Sequence, residues 1–166
     1  MLIVLGGLPG VGKTSIAREL VARLRCVYLR IDVIEQALVS LRESKDVGPA
    51  GYVIAYELAK SNLAFGLTVI ADCVNPLSVT RSAWRSVAMG ASSRLLEVEV
   101  VCSDLTEHRR RIEGRQADIQ GWVLPTWESV VHHEYETWTT NRLVVDSALM
   151  SASEAANLIS DSCRTS

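Results

Sequence analysis

The chain has no C-x-x-C pair. Its four cysteines, Cys26, Cys73, Cys102 and Cys163, are spread over 166 residues, which argues against a metal or disulfide framework and suits free thiols in a reducing compartment. No apolar run approaches the length of a membrane span. The N-terminus lacks a basic n-region and its apolar run breaks at Gly6, so the expected location is the cytoplasm, with no membrane partner. A broad basic tract is missing too. The formal net charge is −2, and the one cationic cluster, Arg109-Arg110-Arg111 with Arg115, is too local for a nucleic-acid footprint. There is no internal repeat, linker or low-complexity segment. What remains is 48% hydrophobic and 22% charged, the balance of a single globular domain over residues 1–166 with room for a core.

Against that background one stretch stands out. Gly7-Leu8-Pro9-Gly10-Val11-Gly12-Lys13-Thr14 matches G-x-x-x-x-G-K-[ST] in full. Leu2-Ile3-Val4-Leu5 before it is a short apolar run of the kind a buried parallel strand shows. Behind it Ile16, Leu20 and Leu24 recur at helical spacing, with Arg18, Glu19 and Arg23 on the other side. Strand, glycine loop and helix therefore follow in the order a phosphate-binding loop requires. The glycines allow successive N–H groups to turn inward on a phosphate, and the helix N-terminus adds partial positive charge. Gly7 to Thr14, with Ser15, are the expected nucleotide-binding residues. Lys13 can reach the β- and γ-phosphates, and the Thr14 hydroxyl can hold Mg²⁺.

The rest of the chain alternates strands with helices. Cys26 to Arg30 reads as a second strand, and Asp32 opens a helix carried by Ile34, Leu38 and Leu41. Arg42 to Pro49 reads as a loop. Tyr52, Tyr56, Ala59 and Leu63 mark a further helix, stopped by Gly66. Leu67 to Ala71 is a strand that delivers Asp72 at its end, and Asn75-Pro76 reads as an N-cap followed by proline at the first helical position. Leu95 to Val101 is a strand, with a helix from Ser103 to about Arg115. Thr126 caps a helix marked by Trp127, Val131, Tyr135 and Trp138. Leu143-Val144-Val145 is a fifth strand, and Ser151-x-x-Glu154 is a capping box for the last helix. The expectation is one α/β domain built on a five-stranded parallel sheet flanked by helices. Ligands gather outside the carboxyl ends of such strands, so the loop, Asp32 and Asp72 should converge.

Two further absences narrow the class. None of Asn62, Asn75, Asn141 and Asn157 is followed by lysine, so the guanine reader of GTPases is missing. Cys73, not glutamate, follows Asp72, which weakens a motor or remodelling ATPase. The loop, Tyr28-Leu29-Arg30-Ile31-Asp32 and Val69-Ile70-Ala71-Asp72 with Asn75-Pro76 together resemble the small P-loop kinases. The resemblance covers most of the chain and places an arginine-bearing lid at about residues 111–126. Within the group, the sequence looks most like chloramphenicol phosphotransferase-like kinases and the 5′-kinase domain of polynucleotide kinases. Asp32-Val33-Ile34-Glu35, Ala83-Trp84-Arg85-Ser86 and Val131-His132-His133-Glu134 look like the former. Polynucleotide kinases carry arginine where this chain has Glu35, although Asp72-x-x-Asn75-Pro76 looks more like their version.

The resemblance implies ATP and Mg²⁺ as ligands and a hydroxyl-bearing small molecule as acceptor, an antibiotic or other natural product in the leading case. A 5′-hydroxyl polynucleotide or nucleoside kinase is the alternative, and a nucleotide-binding ATPase or switch without an acceptor is a second. Asp32 is the candidate general base, although Asp32-x-x-Glu35 is also a helix-capping pattern. Asp72 ends a buried strand, where a carboxylate needs a partner or a cation, and is assigned to Mg²⁺ and the acceptor. Glu35 and Asn75 complete the expected acceptor contacts. Arg111 and Arg115, four apart, would share one helix face and close over the phosphates, or pair with Glu107 and Glu113 in solvent. Trp122 and Trp127 either pack or stack on a planar ligand. His132-His133-Glu134 is not H-E-x-x-H, and adjacent histidines face different ways on a helix, so a structural role is expected.

Overall fold

A computed structural model of the protein describes residues 1–41, 47–121 and 123–165. Five strands, β1 (Leu2–Gly6), β2 (Cys26–Arg30), β3 (Thr68–Asp72), β4 (Leu95–Val101) and β5 (Leu143–Asp146), form one sheet in the order β2-β3-β1-β4-β5. All four pairings are parallel. Parallel strands need crossovers, and these are supplied by α1 (Lys13–Arg23), α2 (Ile31–Leu41), α3 (Ala50–Ala64), α4 (Ser78–Gly90), α5 (Leu105–Glu113) and α6 (Trp127–Val131); α7 (Ala152–Thr165) closes the chain.

The central strand shows why the sheet is covered on both sides. Ile3 and Leu5 join Ile16, Leu20, Val98, Val100 and Ile159 in one apolar cluster. Leu2 and Val4 join Ala55, Ala59, Leu63, Trp84 and Val87 in the other. A strand that alternates between two buried faces reads as one continuous apolar run, as the sequence of β1 does. Each fully buried branched side chain of this kind contributes about 1.5–3 kcal/mol by leaving water. Among the described residues no helix is long and apolar enough to cross a membrane.

Register then places the polar residues. Leu5 of β1 and Arg30 of β2 both pair with Asp72, so β1, β2 and β3 finish level at one edge. The loop after β1, the start of α2 after β2, and Asp72 itself all emerge there. Ser151 and Glu154 make the expected capping box: the Ser151 N–H donates to Glu154 Oε2 at 2.8 Å, and the Glu154 N–H donates to Ser151 Oγ at 3.3 Å.

Three local expectations are corrected. Asn75 does not cap a helix: it takes a left-handed conformation with φ 52°, and α4 starts only at Ser78 with Leu77 at its N-cap. Its N–H donates to the Tyr52 hydroxyl at 2.9 Å, so a contact from α3 fixes this turn. The helix expected through Trp138 stops at Val131, although Thr126 does cap it through the Ser129 N–H at 3.2 Å. Tertiary contacts override the spacing there. The buried Arg81 guanidinium lies 4.2 Å from the Trp138 ring centroid and 5.2 Å from that of Tyr135, and it donates to the Glu136 carbonyl at 2.7 Å. Finally, α5 is capped by Asp104, not Ser103, and ends at Glu113 before Gly114. Arg115 therefore lies beyond the helix that carries Arg111. Of the loop expected at Arg42 to Pro49, residues 42–46 lie outside the described residues; Pro49 caps α3.

Candidate active site

The phosphate-binding loop takes its shape from glycines with positive φ: 139° at Gly7, 83° at Gly10 and 99° at Gly12. Two of them are also closed to any side chain. A Cβ at Gly7 would collide with the Val100 carbonyl oxygen, and one at Gly10 with the Ile112 side chain. The loop is thus held from behind by β4 and from the side by α5. The buried His108 of α5 adds a 2.7 Å hydrogen bond from Nε2 to the Pro9 carbonyl, which requires the proton on that nitrogen.

Lys13 is 8% exposed and folds back over the loop, donating to the Gly7 and Leu8 carbonyls at 2.7 and 2.8 Å. Burial pushes its ammonium below the ordinary lysine range, while the Asp72 and Asp32 carboxylates oppose that shift. One residue on, the Thr14 hydroxyl donates to Asp72 Oδ2 at 2.8 Å. The Tyr28 hydroxyl donates to the same oxygen at 2.7 Å. Asp72, 3% exposed, so finds partners on both neighbouring elements, as a buried carboxylate must.

Asp32 and Glu35 lie one turn apart on the inner side of α2. Burial pushes the Asp32 carboxyl up, while Lys13 draws it down. Burial pushes Glu35 up to about 7, with the Asp32 charge adding to the shift. A third group, Asp118, gathers cations at the rim. Arg30 grips it as a fork, with Nη1 at 2.7 Å from Oδ2 and Nη2 at 3.0 Å from Oδ1. Arg18 Nη2 reaches it at 2.8 Å and Arg115 at 3.8 Å. The hydrogen bonds from Arg30 hold the Asp118 carboxyl down at about 2. Arg30 also stands 3.7 Å from Asp32. Arg111 is fastened to Glu107 at 2.7 Å and to Ser147 Oγ at 2.8 Å.

These groups surround two adjoining cavities. The larger, of about 960 Å³, is lined by the loop from Gly12 to Ser15 together with Asp72, Arg111, Arg115 and Asp118. The smaller, of about 480 Å³, is walled mainly by apolar and aromatic side chains of α3 and the turn before α4, among them Tyr52, Tyr56 and Leu77. Asp32, Glu35, Val74 and His133 line both. Arg111 and Arg115 thus meet at one cavity although they do not share a helix. Asn75 lines neither: it is fully buried, and its amide nitrogen and oxygen have no partner among the described residues. Trp127 packs edge-on against His108, with centroids 5.2 Å apart, and Trp122 lies outside the described residues.

His133, expected to be structural, lines both cavities, and Asp118, to which the sequence assigned nothing, lines the larger; Tyr28 and Arg30, noted only in the strand that carries the resemblance, stand behind Asp72 and Asp118. In the structure His132 Nδ1 bonds back to the Glu128 carbonyl at 2.9 Å, whereas His133 turns to the cavities, where burial and then Lys13 push its imidazole down. No group of three metal-ligating histidine, cysteine or acidic side chains occurs among the described residues.

A glycine loop on the central strand of a 2-3-1-4-5 parallel sheet, with a threonine–aspartate pair beneath it, defines the small P-loop kinase fold. The chain belongs to the AAA_33 family, described as an AAA domain, whose model matches residues 2–123. Solved structures agree on the fold. A Chloroflexus aurantiacus j-10-fl protein superposes with TM-score 0.74 at 18% identity, over 96% of each chain. Chaetomium thermophilum Kti12 in complex with ADP-AlF3 gives 0.69 at 21%, over 97% of this chain and 98% of that one. The Mycobacterium tuberculosis APS kinase CysC in complex with AMPPNP and APS gives 0.65 at 17%, over 99% and 97%. No curated protein matches the sequence.

Proposed function

We propose that the protein is an ATP-dependent phosphotransferase that moves the γ-phosphoryl group to a hydroxyl of a small molecule, with antibiotics and other natural products the acceptors to try first. One observation carries the reading: Asp32 lines both the phosphate-loop cavity and a second, largely apolar one. A hydrolase needs no second cavity, whereas a transferase must seat two ligands either side of the reacting centre.

The chain's own groups suit the chemistry. Loop N–H groups would cradle the phosphates, and Lys13 would exchange two carbonyl partners for phosphate oxygens. Asp32 would take the acceptor's hydroxyl proton as the new oxygen–phosphorus bond forms and the β–γ bridging bond breaks, leaving ADP. Arg111 and Arg115, at the edge of a lid spanning about residues 111–126, would stabilise the charge on the transferring group. The Thr14 hydroxyl and Asp72 carboxylate are hard oxygen donors, the set that Mg²⁺ takes when phosphates and water complete its shell, so these residues fit that ion. Bound there, Mg²⁺ would neutralise phosphate charge.

The test is transfer from γ-labelled ATP with Mg²⁺ to hydroxylated antibiotics, sugars, nucleosides and 5′-hydroxyl oligonucleotides, with a no-acceptor control. Label on a small molecule is expected. Label on the oligonucleotide would move the polynucleotide kinase reading forward, and hydrolysis indifferent to every acceptor would favour an ATPase or switch.

A further inference from the structure

The smaller cavity constrains the acceptor further, an inference that rests on reading it as the acceptor site. About 480 Å³ suits a drug-sized molecule, and Tyr52, Val53, Tyr56, Leu77 and Val79 give it an apolar wall. The wall is firm: the Tyr56 ring packs edge-on against buried Trp84 at 4.6 Å and lies 6.1 Å from that of Tyr52. Among the described residues the charged lining groups are all of one sign. Asp32 and Glu35 line the cavity, and no lysine or arginine does among the described residues. His133, the other titratable lining group besides the tyrosines, is pushed toward its neutral form.

The position of Glu35 has a cause. Gly51, in the first turn of α3, is buried, and the Glu35 side chain lies across it, its Oε1 3.0 Å from where a Cβ would stand. Absence of a side chain at residue 51 lays the carboxyl against α3 beside Tyr52. There it is pushed up to about 7 by burial, so it is a group that stands to gain from an incoming cation. An anion in the same place would meet the Asp32 and Glu35 carboxyls, both on the cavity wall.

We propose that the acceptor is a hydrophobic amino alcohol whose protonated amine pairs with Glu35 beside the Tyr52 ring, with its apolar body against Tyr56 and Leu77 and its hydroxyl at Asp32. A charge-assisted hydrogen bond and a cation over an aromatic ring are the interactions this wall offers.

The experiment uses three compounds of one skeleton: 2-amino-3-phenylpropan-1-ol, its 2-methyl analogue and its 2-carboxylate analogue. Their binding to the full chain, saturated with AMPPNP and Mg²⁺, is measured by calorimetry at neutral pH. The amine should bind at least about tenfold more tightly than the methyl compound, and the carboxylate not measurably. In Glu35→Gln, and in Gly51→Ala where the carboxyl is displaced, the amine-to-methyl ratio should fall to within about twofold; AMPPNP affinity reports that each variant is folded. Equal binding by the methyl or carboxylate member, a preference that survives both substitutions, or no binding by any member would overturn the proposal. Label transfer judges the underlying reading separately. Phosphorylated alcohols without amine preference overturn the acceptor class alone, whereas amine-selective binding without transfer supports the cavity's chemistry and overturns the phosphotransferase.

Discussion

The Thr14 hydroxyl stands 2.8 Å from Asp72 Oδ2, joining the first turn of α1 to the end of β3 where Tyr28 also donates. This places both proposed metal-site oxygens in contact. Asp72→Ala would leave two partly buried hydroxyls without their acceptor, at a cost of about 1–3 kcal/mol. Urea denaturation without Mg²⁺ should show that loss. Titration with ATP should show that Mg²⁺ no longer strengthens binding; an undiminished Mg²⁺ effect would remove Asp72 from the metal site.

Asp32 sits where the two cavities meet, with Arg30 at 3.7 Å. Asp32→Asn keeps the shape and removes the base. Transfer should fall by about 10²–10⁴-fold while nucleotide affinity changes little. Single-turnover transfer and equilibrium nucleotide binding separate the two. Unchanged transfer would leave Asp32 a structural role alone, as the acidic residue in the first turn of α2 beside Arg30.

Asp118 holds Arg30, whose side chain is 7% exposed. Asp118→Ala would leave that guanidinium with Asp32 at 3.7 Å, and the destabilisation should be about 2 kcal/mol, below the usual cost of a broken buried pair because a second carboxylate remains and Asp118 is itself 35% exposed. The pH dependence follows from the depressed carboxyl. Its folded value of about 2 lies below the ordinary 3.8, so the stabilisation is present above the ordinary value and lost as pH falls toward 2. The stability gap between wild type and Asp118→Ala should therefore close on acidification below about pH 4.

Glu35 has the opposite sign. Its folded value is raised from 4.5 to about 7, so the unfolded chain gives up this proton first. No penalty exists below the ordinary value, and it grows as pH rises through that window until both states are ionised. Glu35→Gln should match wild type in stability near pH 4 and exceed it near pH 8. The shift sets a ceiling of about 3 kcal/mol, and solvent screening brings the expected gain to about 1–2 kcal/mol. Guanidinium titrations at the two pH values check it.

Much of this was legible along the chain because it depends on neighbours in sequence. The loop, its flanking strand and helix, the Thr126 cap and the Ser151–Glu154 box are all local patterns of spacing and hydrogen bonding. β1 and the Val69-Ile70-Ala71 run of β3 were legible for the same reason: continuous apolar runs are what strands buried on two faces require. Expectations failed where a distant partner outbid a local preference. Trp138 and Tyr135 keep helical spacing from Trp127, yet Arg81 of α4 draws them out of any helix. Asn75 and Pro76 have capping chemistry, yet the Tyr52 hydroxyl holds that turn in another conformation.

By itself, then, the sequence determined a parallel α/β sheet with a phosphate-binding loop after its first strand, because backbone conformation and burial pattern are written residue by residue; that this strand is the central one came from the structure. Only the tertiary structure decided what surrounds that loop. Asp118 meets Arg30 from 88 residues away, and Tyr28 meets Asp72 from 44. Glu35 lies over Gly51, and the exposed His133 lines both cavities while its neighbour His132 bonds back along the chain. Such pairings depend on which strand ends finish level and which helix faces meet, and no spacing in the linear chain records that.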